Sequence, residues 1–260
     1  MLLSALTMNA GIEQEVEPEA RRLAEGIQAA GLPVRMLGGV AILLHADNGM
    51  HPALARSYAD IDLVCSRKAG RATSRFLVSA GYEANERFNA MNGSERMIFY
   101  DRPNRRHVDL FVGGFRMCHA LPLADRIDRD APTLPPAELL LTKLQVVQLN
   151  VKDANDMIAL LLDHDVAEHD DDAVNAAYIA QLLAGDWGLW RTSRGSLERM
   201  REIVAENGLS GEEQARVQDR AARLWERVEG EPKGLRWRSR ARIGDSKRWY
   251  DEPDEIAHQR

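Results

Sequence analysis

The sequence predicts an α/β (α+β) fold, with a small mixed sheet and flanking helices followed by an all-helical C-terminal half. Helical and β-forming stretches alternate from the start of the chain, and two β-forming stretches then follow one another directly. After Thr133, a plausible N-cap before Pro135-Pro136, no further strand pattern is found. We therefore predict two domains, residues 1–130 and residues 131–260.

The elements of the N-terminal half are predicted from periodicity and from turn residues. Gly31 and Gly81 end the first and third helices. Residues 59–65 (ADIDLVC) alternate and are rich in β-formers, and Pro103-Asn104 is a hairpin-like turn. In order, the prediction is helix 13–30, strand 32–37, helix 40–46, loop 48–52, strand 59–65, helix 67–80 and strands 95–101 and 105–113.

Composition and charge favour an ordinary soluble, cytoplasmic protein. The net charge of −6 gives no general attraction to nucleic acid, so such contact would need a local basic patch. Cys65 and Cys118 make no disulfide framework. The opening MLLSALTMNA has too short an apolar run, with no basic residue before it, for a signal peptide. No stretch approaches the roughly 20 apolar residues of a membrane span.

The pair Asp60 and Asp62 is the first candidate site. Alternate residues of a strand share a face, so both carboxylates project together and repel one another unless a cation neutralises them. Asp109 lies in a second strand (HVDLF), and if the two strands are neighbours the three carboxylates converge. Such a set suits Mg²⁺, or Mn²⁺ in its place, and in-line displacement at phosphorus. The alternative is a half-exposed strand with a polar face.

Gly38-Gly39 stands at a predicted strand-to-helix junction upstream of this pair. Glycines there let the backbone approach phosphates, and the helix N-terminus offers unpaired N–H groups. Alone, the two glycines could equally be a simple turn.

The order GGVAILLH…DIDLVC…HVDLF resembles the nucleotidyltransferase superfamily that includes DNA polymerase β and the CCA-adding enzymes. The resemblance implies that Gly38 and Gly39 contact the triphosphate and that Asp60, Asp62 and Asp109 bind Mg²⁺. Two features depart from the family pattern. The stretch between Gly39 and Asp60 is longer than usual, and the second residue of the phosphate motif is Gly rather than Ser.

Lys143 is the notable residue of the predicted helix 135–150. The polar face of that helix is predicted to hold Glu138, Thr142, Gln145 and Gln148, whereas Lys143 falls in the apolar stripe. Its ammonium therefore either extends to a groove edge or is paired with a carboxylate or a phosphate.

The stretch LLLTKLQVVQLNVKDANDMIALL resembles the helical part of AbiEii-like nucleotidyltransferases, the toxins of type IV toxin–antitoxin systems. The resemblance implies that Lys143 holds phosphates and that Asp153 or Asp156 orients it or the attacking group. Lys152 stands where those proteins usually have Arg. Without the resemblance, Asp153 is an ordinary N-cap and Asp156 a first-turn acid.

Three further signals carry less weight. Arg96 could reach a phosphate from the sheet, although an arginine at a strand end is usually solvated. Arg102 and His107 have the spacing of a helical ribonuclease motif but lie on a strand and turn. The basic, aromatic stretch KGLRWRSRARIGDSKRWY could bind single-stranded nucleic acid, although a solvated tail or one docked on the protein's own body is favoured.

The leading hypothesis is a Mg²⁺-dependent nucleotidyltransferase that moves a nucleoside monophosphate from an NTP to an acceptor. A toxin-like enzyme would modify tRNA or another macromolecule and would have an antitoxin partner. A small-molecule enzyme resembling aminoglycoside nucleotidyltransferases is the alternative within this class. An inactive regulatory module of the same fold is the alternative outside it.

Overall fold

The structure, a computed structural model, describes residues 11–46 and 49–252. The opening stretch MLLSALTMNA and part of the predicted loop 48–52 lie outside these residues. In chain order the elements are α1 (Val16–Ala29), β1 (Val34–Leu37), α2 (Gly38–His45), β2 (Asp60–Cys65), α3 (Gly70–Ser79), β3 (Glu83–Ala84), α4 (Glu86–Asn92), β4 (Arg96–Asp101), β5 (Arg106–Val112), β6 (Phe115–Arg116), β7 (Ala120–Leu121), α5 (Pro136–Leu144), α6 (Val151–Asp163), β8 (Asp165–Ala167), β9 (Ala173–Asn175), α7 (Ala176–Gly185), α8 (Trp187–Val204), α9 (Gly211–Gly230) and α10 (Leu235–Ile243).

The chain divides into two compact units. The first comprises the chain up to Met50, Arg56–Phe115 and Pro122–Pro135. The second comprises His51–Ala55, Arg116–Leu121 and the chain from Pro136 onward.

The first unit contains a five-stranded sheet in the order β1-β2-β5-β4-β3. Strands β2 and β5 are parallel, and the other neighbours are antiparallel. This confirms the predicted mixed sheet with flanking helices. Ile61, Leu63, Val108 and Leu110 are fully buried on one face of the central pair, so the residues between them project from the opposite face.

The elements of the first unit that were not predicted include the two-residue strand β3 and the helix α4. The side chain of Asn85 caps α4 by accepting a hydrogen bond from the backbone N–H of Phe88. None of the residues of α4 is buried, so the helix has no apolar periodicity to detect.

Buried ion pairs stabilise both α1 and the sheet of the first unit. Glu19 is fully buried and accepts hydrogen bonds from Arg22 at 2.6 and 2.7 Å and from the Tyr82 hydroxyl. Burial raises the pKa of the Tyr82 hydroxyl, which therefore stays a hydrogen-bond donor. Arg106 and Asp101 form a second buried pair, 3.1 Å apart.

The second unit is mainly helical, but the expectation of an all-helical C-terminal half is wrong in one detail. Strands β8 and β9 form a small parallel pair, and β8 occupies part of the predicted acidic loop 165–172. Each strand has three residues, too few for an alternating pattern to be recognised.

Helix α5 also departs from the prediction. It ends at Leu144 rather than near Asn150, and Asn150 instead caps the next helix. Its expected polar face is wrong, because every residue of α5 is buried, including Glu138 and Thr142. Among the residues that the structure describes, no helix is long and apolar enough to cross a membrane.

Candidate active site

The register between β2 and β5 brings the predicted carboxylates onto one face of the sheet. Asp62 is the direct neighbour of Asp109, and Asp60 is the direct neighbour of His107. Alternate residues of each strand share a face. All three carboxylates therefore project from the face opposite the buried core.

The side chains on this face pair with their sheet neighbours. Nδ1 of His107 lies 3.4 Å from Oδ1 of Asp60, and Nε of Arg96 donates a 2.9 Å hydrogen bond to Oδ1 of Asp109. Arg96 sits diagonally across from Asp109 on β4, a distance that a long side chain spans. Asp109 is nearly buried whereas Asp60 is exposed, so the site runs from a shielded carboxylate to a solvated one.

Gly38 begins α2 directly at the end of β1, next to Asp62. Its φ of +73° belongs to the left-handed region that favours glycine. A Cβ atom at this position would lie 2.2 Å from Oδ2 of Asp62, so no other residue fits without moving that carboxylate. The α2 N-terminus, whose first N–H groups have no acceptor within the helix, therefore lies against the Asp62 side chain.

Arg56 lies beside the candidate site, and the sequence analysis did not include it. A Cβ atom at Gly39 would lie 2.0 Å from a terminal guanidinium nitrogen of Arg56, so the guanidinium rests on the first turn of α2. Its carbon also lies 4.2 Å from the centroid of the Tyr58 ring. The position of Arg56 four residues before Asp60 was the available signal, but a loop arginine has many uses.

The carboxylates match Mg²⁺ in chemistry and in the face they share. Hard oxygen ligands are what this ion prefers, and Gly38 leaves room against Asp62 that a side chain would fill. Among the residues that the structure describes, no group of three or more His, Cys, Asp or Glu is arranged to hold a metal ion as it stands. Metal binding by Asp60, Asp62 and Asp109 thus stays a prediction.

Lys143 belongs to the second unit and is held by two carboxylates. Its Nζ lies 2.7 Å from Oδ1 of Asp153 and 2.9 Å from Oδ2 of Asp156. Burial disfavours the ammonium, but Asp156 and Asp153 outweigh that effect and raise the pKa of Lys143 above its ordinary value. The ammonium is thus ion-paired rather than extended to solvent. Contact of these three residues with nucleotide stays a prediction from resemblance.

The start of α6 explains how Asp153 is placed. The N-cap is Asn150 rather than Asp153, as its side chain accepts a 2.9 Å hydrogen bond from the backbone N–H of Asp153. The Asn150 amide in turn donates to Oδ2 of Asp153 at 2.8 Å. This reciprocal cap leaves Oδ1 directed at Lys143.

Comparison with family models finds a similarity in the sheet-bearing part of the chain. Residues 1–128 match the model of a family described as an uncharacterised nucleotidyltransferase. The matched stretch includes Gly38, Gly39 and all three strand carboxylates, whereas Lys143 lies beyond it.

The other comparisons give less information about this protein than the family match. A solved structure described as an antigenic nucleotidyltransferase-like protein from Paracoccidioides brasiliensis is 16% identical, and the match covers 71% of this chain and 94% of that one. Its TM-score of 0.38 is too low for residues of the two proteins to be equated. No match was found among curated proteins.

Proposed function

We propose that this protein is a Mg²⁺-dependent nucleotidyltransferase that transfers a nucleoside monophosphate from an NTP to an acceptor hydroxyl. The observation that supports this most is the pairing of Asp62 with Asp109 in register, with Gly38 against the Asp62 carboxylate. Carboxylates beside a glycine-started helix combine a cation site with a phosphate site.

The reaction is an in-line displacement. The acceptor oxygen forms a bond to the α-phosphorus as the bond from that phosphorus to the α–β bridging oxygen breaks, and pyrophosphate leaves. When bound at Asp60, Asp62 and Asp109, Mg²⁺ would neutralise phosphate charge and align the reacting oxygens. Oδ1 of Asp109 is engaged by Arg96, so we assign Oδ2 as the atom that accepts the hydroxyl proton.

Arg56 is assigned to the phosphates together with the α2 N-terminus. Its guanidinium lies on Gly39, in the first turn of α2, where the N–H groups have no acceptor within the helix. A planar guanidinium binds two phosphate oxygens at once, which an ammonium does not. This arrangement suits the charge that accumulates on the leaving pyrophosphate.

Replacing Arg56 tests that assignment. A charge-assisted hydrogen bond contributes about 1.5–3 kcal/mol, so Arg56→Gln should lower kcat/KM for the NTP roughly 10- to 100-fold. Arg56→Lys should recover part of this loss. Arg75→Gln, which removes an exposed arginine of α3, should leave kcat/KM unchanged. Equal effects of the Arg56 and Arg75 changes would remove Arg56 from the site.

The acceptor is proposed to be tRNA or another macromolecule, as in a toxin-like enzyme that has an antitoxin partner. The resemblance of residues 32–163 to AbiEii-like proteins and the basic C-terminal stretch support this choice.

Label transfer tests the activity. The protein is incubated with Mg²⁺, total RNA and each α-labelled NTP, and label in RNA is measured. We expect transfer by the wild type, and its loss in Asp60→Asn and Asp62→Asn. Asp128→Asn, which makes the same charge change at an exposed position, should stay active. Full activity of Asp62→Asn would refute the site, and absence of label from RNA would refute an RNA acceptor.

Metal binding has a separate readout in thermal unfolding. Because a ligand that binds only the folded state stabilises it, Mn²⁺ should raise Tm in the wild type and less in Asp62→Asn. An equal rise in both proteins would contradict metal binding at Asp62.

A further inference from the structure

The C-terminal residues 233–250, termed the basic segment below, have a charge opposite to that of the whole chain. They contain seven Lys or Arg residues and one Asp, a net charge of +6, whereas the whole chain carries −6. Helix α10 (Leu235–Ile243) forms the centre of the segment and has no buried residue. The cationic charge is therefore concentrated in one short element that faces water.

The aromatic side chains of the basic segment attach it to the second unit. The indole N–H of Trp237 donates to the carbonyl of Leu183 at 3.1 Å, and that of Trp249 donates to Oγ1 of Thr192 at 3.0 Å. The Trp237 ring also packs edge-on against Trp190. These indoles are occupied within the protein, so the segment is docked and its tryptophans are not presented as a platform for bases.

Three of the four arginines of α10 remain accessible to solvent, whereas Arg240 stacks on Trp187 of the second unit. Arg236, Arg238 and Arg242 are all exposed. The one acid of the segment, Asp245, is bound by Arg191 of α8 at 2.9 Å, so it does not neutralise the outer face. Within the part of the chain that the structure describes, the other ion pairs of the segment join Arg248 to Glu252 and Lys233 to Glu229, and neither includes an arginine of α10. The outer face of α10 therefore carries cations whose charge is not balanced locally.

We propose that the outer face of α10 binds the phosphate backbone of RNA. Arg238 and Arg242 are one turn apart, about 6 Å along the helix, a spacing that suits successive phosphates of a folded strand. Guanidinium groups bind phosphate oxygens in pairs, and binding releases condensed counterions. This surface deepens the proposed function, because it supplies a contact for a macromolecular acceptor. The inference rests on the proposed function only where it identifies the bound RNA as that acceptor.

A membrane surface is the competing occupant, and the structure favours RNA over it. A helix that lies in a membrane interface buries a continuous apolar face, commonly with aromatic residues. The aromatic face of α10 already packs inward through Trp237. The exposed apolar residues Leu235 and Ile243 stand at opposite ends of the helix and make no continuous face.

Binding of labelled tRNA to the full-length protein tests the surface, with fluorescence anisotropy measured at several salt concentrations without NTP or Mg²⁺. The triple change Arg236→Gln, Arg238→Gln and Arg242→Gln should weaken binding roughly 10-fold near 100 mM salt and lower the salt slope by about 2–3. The matched control, Arg71→Gln, Arg75→Gln and Arg87→Gln, removes three exposed arginines of α3 and α4 and should change affinity less than about 2-fold.

Several outcomes separate this surface from the catalytic proposal. Asp60→Asn should bind tRNA as tightly as the wild type while failing to transfer nucleotide. If the wild type binds tRNA through α10 but transfers no nucleotide to it, only the catalytic proposal is refuted. Equal losses in the two triple variants would overturn the surface. An α10 variant that loses binding to phosphatidylserine vesicles but not to tRNA would identify the face as membrane-binding and overturn an RNA partner.

Discussion

At the scale of single residues, Gly38 links backbone conformation to the carboxylates. Its left-handed φ lets β1 turn directly into α2, and the missing Cβ leaves room for Oδ2 of Asp62. Gly31 has a similar φ of +60° but open space around the Cβ position. Alanine substitutions at the two glycines therefore distinguish the effect of backbone strain from the effect of crowding the Asp62 carboxylate.

We predict that Gly38→Ala abolishes nucleotide transfer, whereas Gly31→Ala does not. Both changes place alanine in the left-handed region, which costs about 1–2 kcal/mol of stability. Only Gly38→Ala displaces the Asp62 carboxylate. Thermal unfolding measures the shared loss, and label transfer measures the difference. Indistinguishable transfer by the two variants would show that the Asp62 position is not critical.

Lys143 carries a buried positive charge that the carboxylates of Asp153 and Asp156 compensate. We predict that Lys143→Met lowers the free energy of unfolding by about 3 kcal/mol, because it removes the ammonium from beside the buried Asp156 carboxylate. Adding Asp156→Leu should restore much of that stability. Urea unfolding measures both variants.

The same pair of variants examines the predicted phosphate contact. A double variant that regains stability but not transfer would support a role of the Lys143–Asp156 pair in nucleotide binding. Recovery of both would assign Lys143 to stability alone.

At the scale of secondary-structure elements, the helix α8 is the platform on which the basic segment docks. A Cβ atom at Gly188 would lie 2.7 Å from the backbone oxygen of Trp249, whereas one at Gly195 would meet only a side-chain nitrogen of Arg191 at 3.8 Å. Both glycines belong to α8. They therefore provide a matched pair within one helix.

We predict opposite effects of alanine at these two positions. Gly195→Ala should stabilise the protein by about 0.5–1 kcal/mol, because alanine is the better helix former. Gly188→Ala should displace the chain at Trp249 and, by loosening the segment, speed trypsin cleavage after the exposed Lys247 and Arg248. Unfolding midpoints and the rate of limited proteolysis report the two effects. If trypsin cleaves Gly188→Ala no faster than the wild type, the docking contact at Gly188 is contradicted.

At the scale of the whole molecule, the buried His119 gives stability a pH dependence. Its Nε2 lies 2.8 Å from Oγ1 of Thr192, which also accepts from Trp249. Burial lowers the pKa of His119, and the opposing effects of Asp186 and Asp251 are smaller. The folded protein therefore favours the neutral imidazole.

The sign of the effect follows from proton binding. The unfolded chain binds a proton at His119 near its ordinary pKa of about 6.5, whereas the folded chain does so only at lower pH. The stability from the neutral imidazole is thus present above about pH 6.5 and is lost as the pH falls through the folded pKa.

We predict that the free energy of unfolding decreases on acidification below about pH 6.5, by at most about 1.4 kcal/mol per pH unit for this one proton. His119→Gln should flatten that slope. His169→Gln, at an exposed position, should leave it unchanged. Urea unfolding over the pH range measures all three proteins, and equal slopes for His119→Gln and the wild type would exclude His119 as the cause.

Local patterns were sufficient for the elements that carry the candidate site. The strand of Asp60 and Asp62, the strand of Asp109 and the glycine-started helix each show their type within a few residues, because burial of one face imposes a period on the sequence. Helix α4 and strands β8 and β9 were missed, because they are short or have no buried face.

What the sequence determined by itself was the mixed sheet, the alternation that places Asp60 and Asp62 on one face, and the resemblance that joins them to Gly38 and Asp109. Tertiary structure alone decided that Asp62 and Asp109 are register neighbours, that Arg56 lies on Gly39 and that Lys143 is held by Asp153 and Asp156. Periodicity reports the side that an element buries, whereas the partner of a charged side chain depends on residues brought together by folding, which no local pattern encodes.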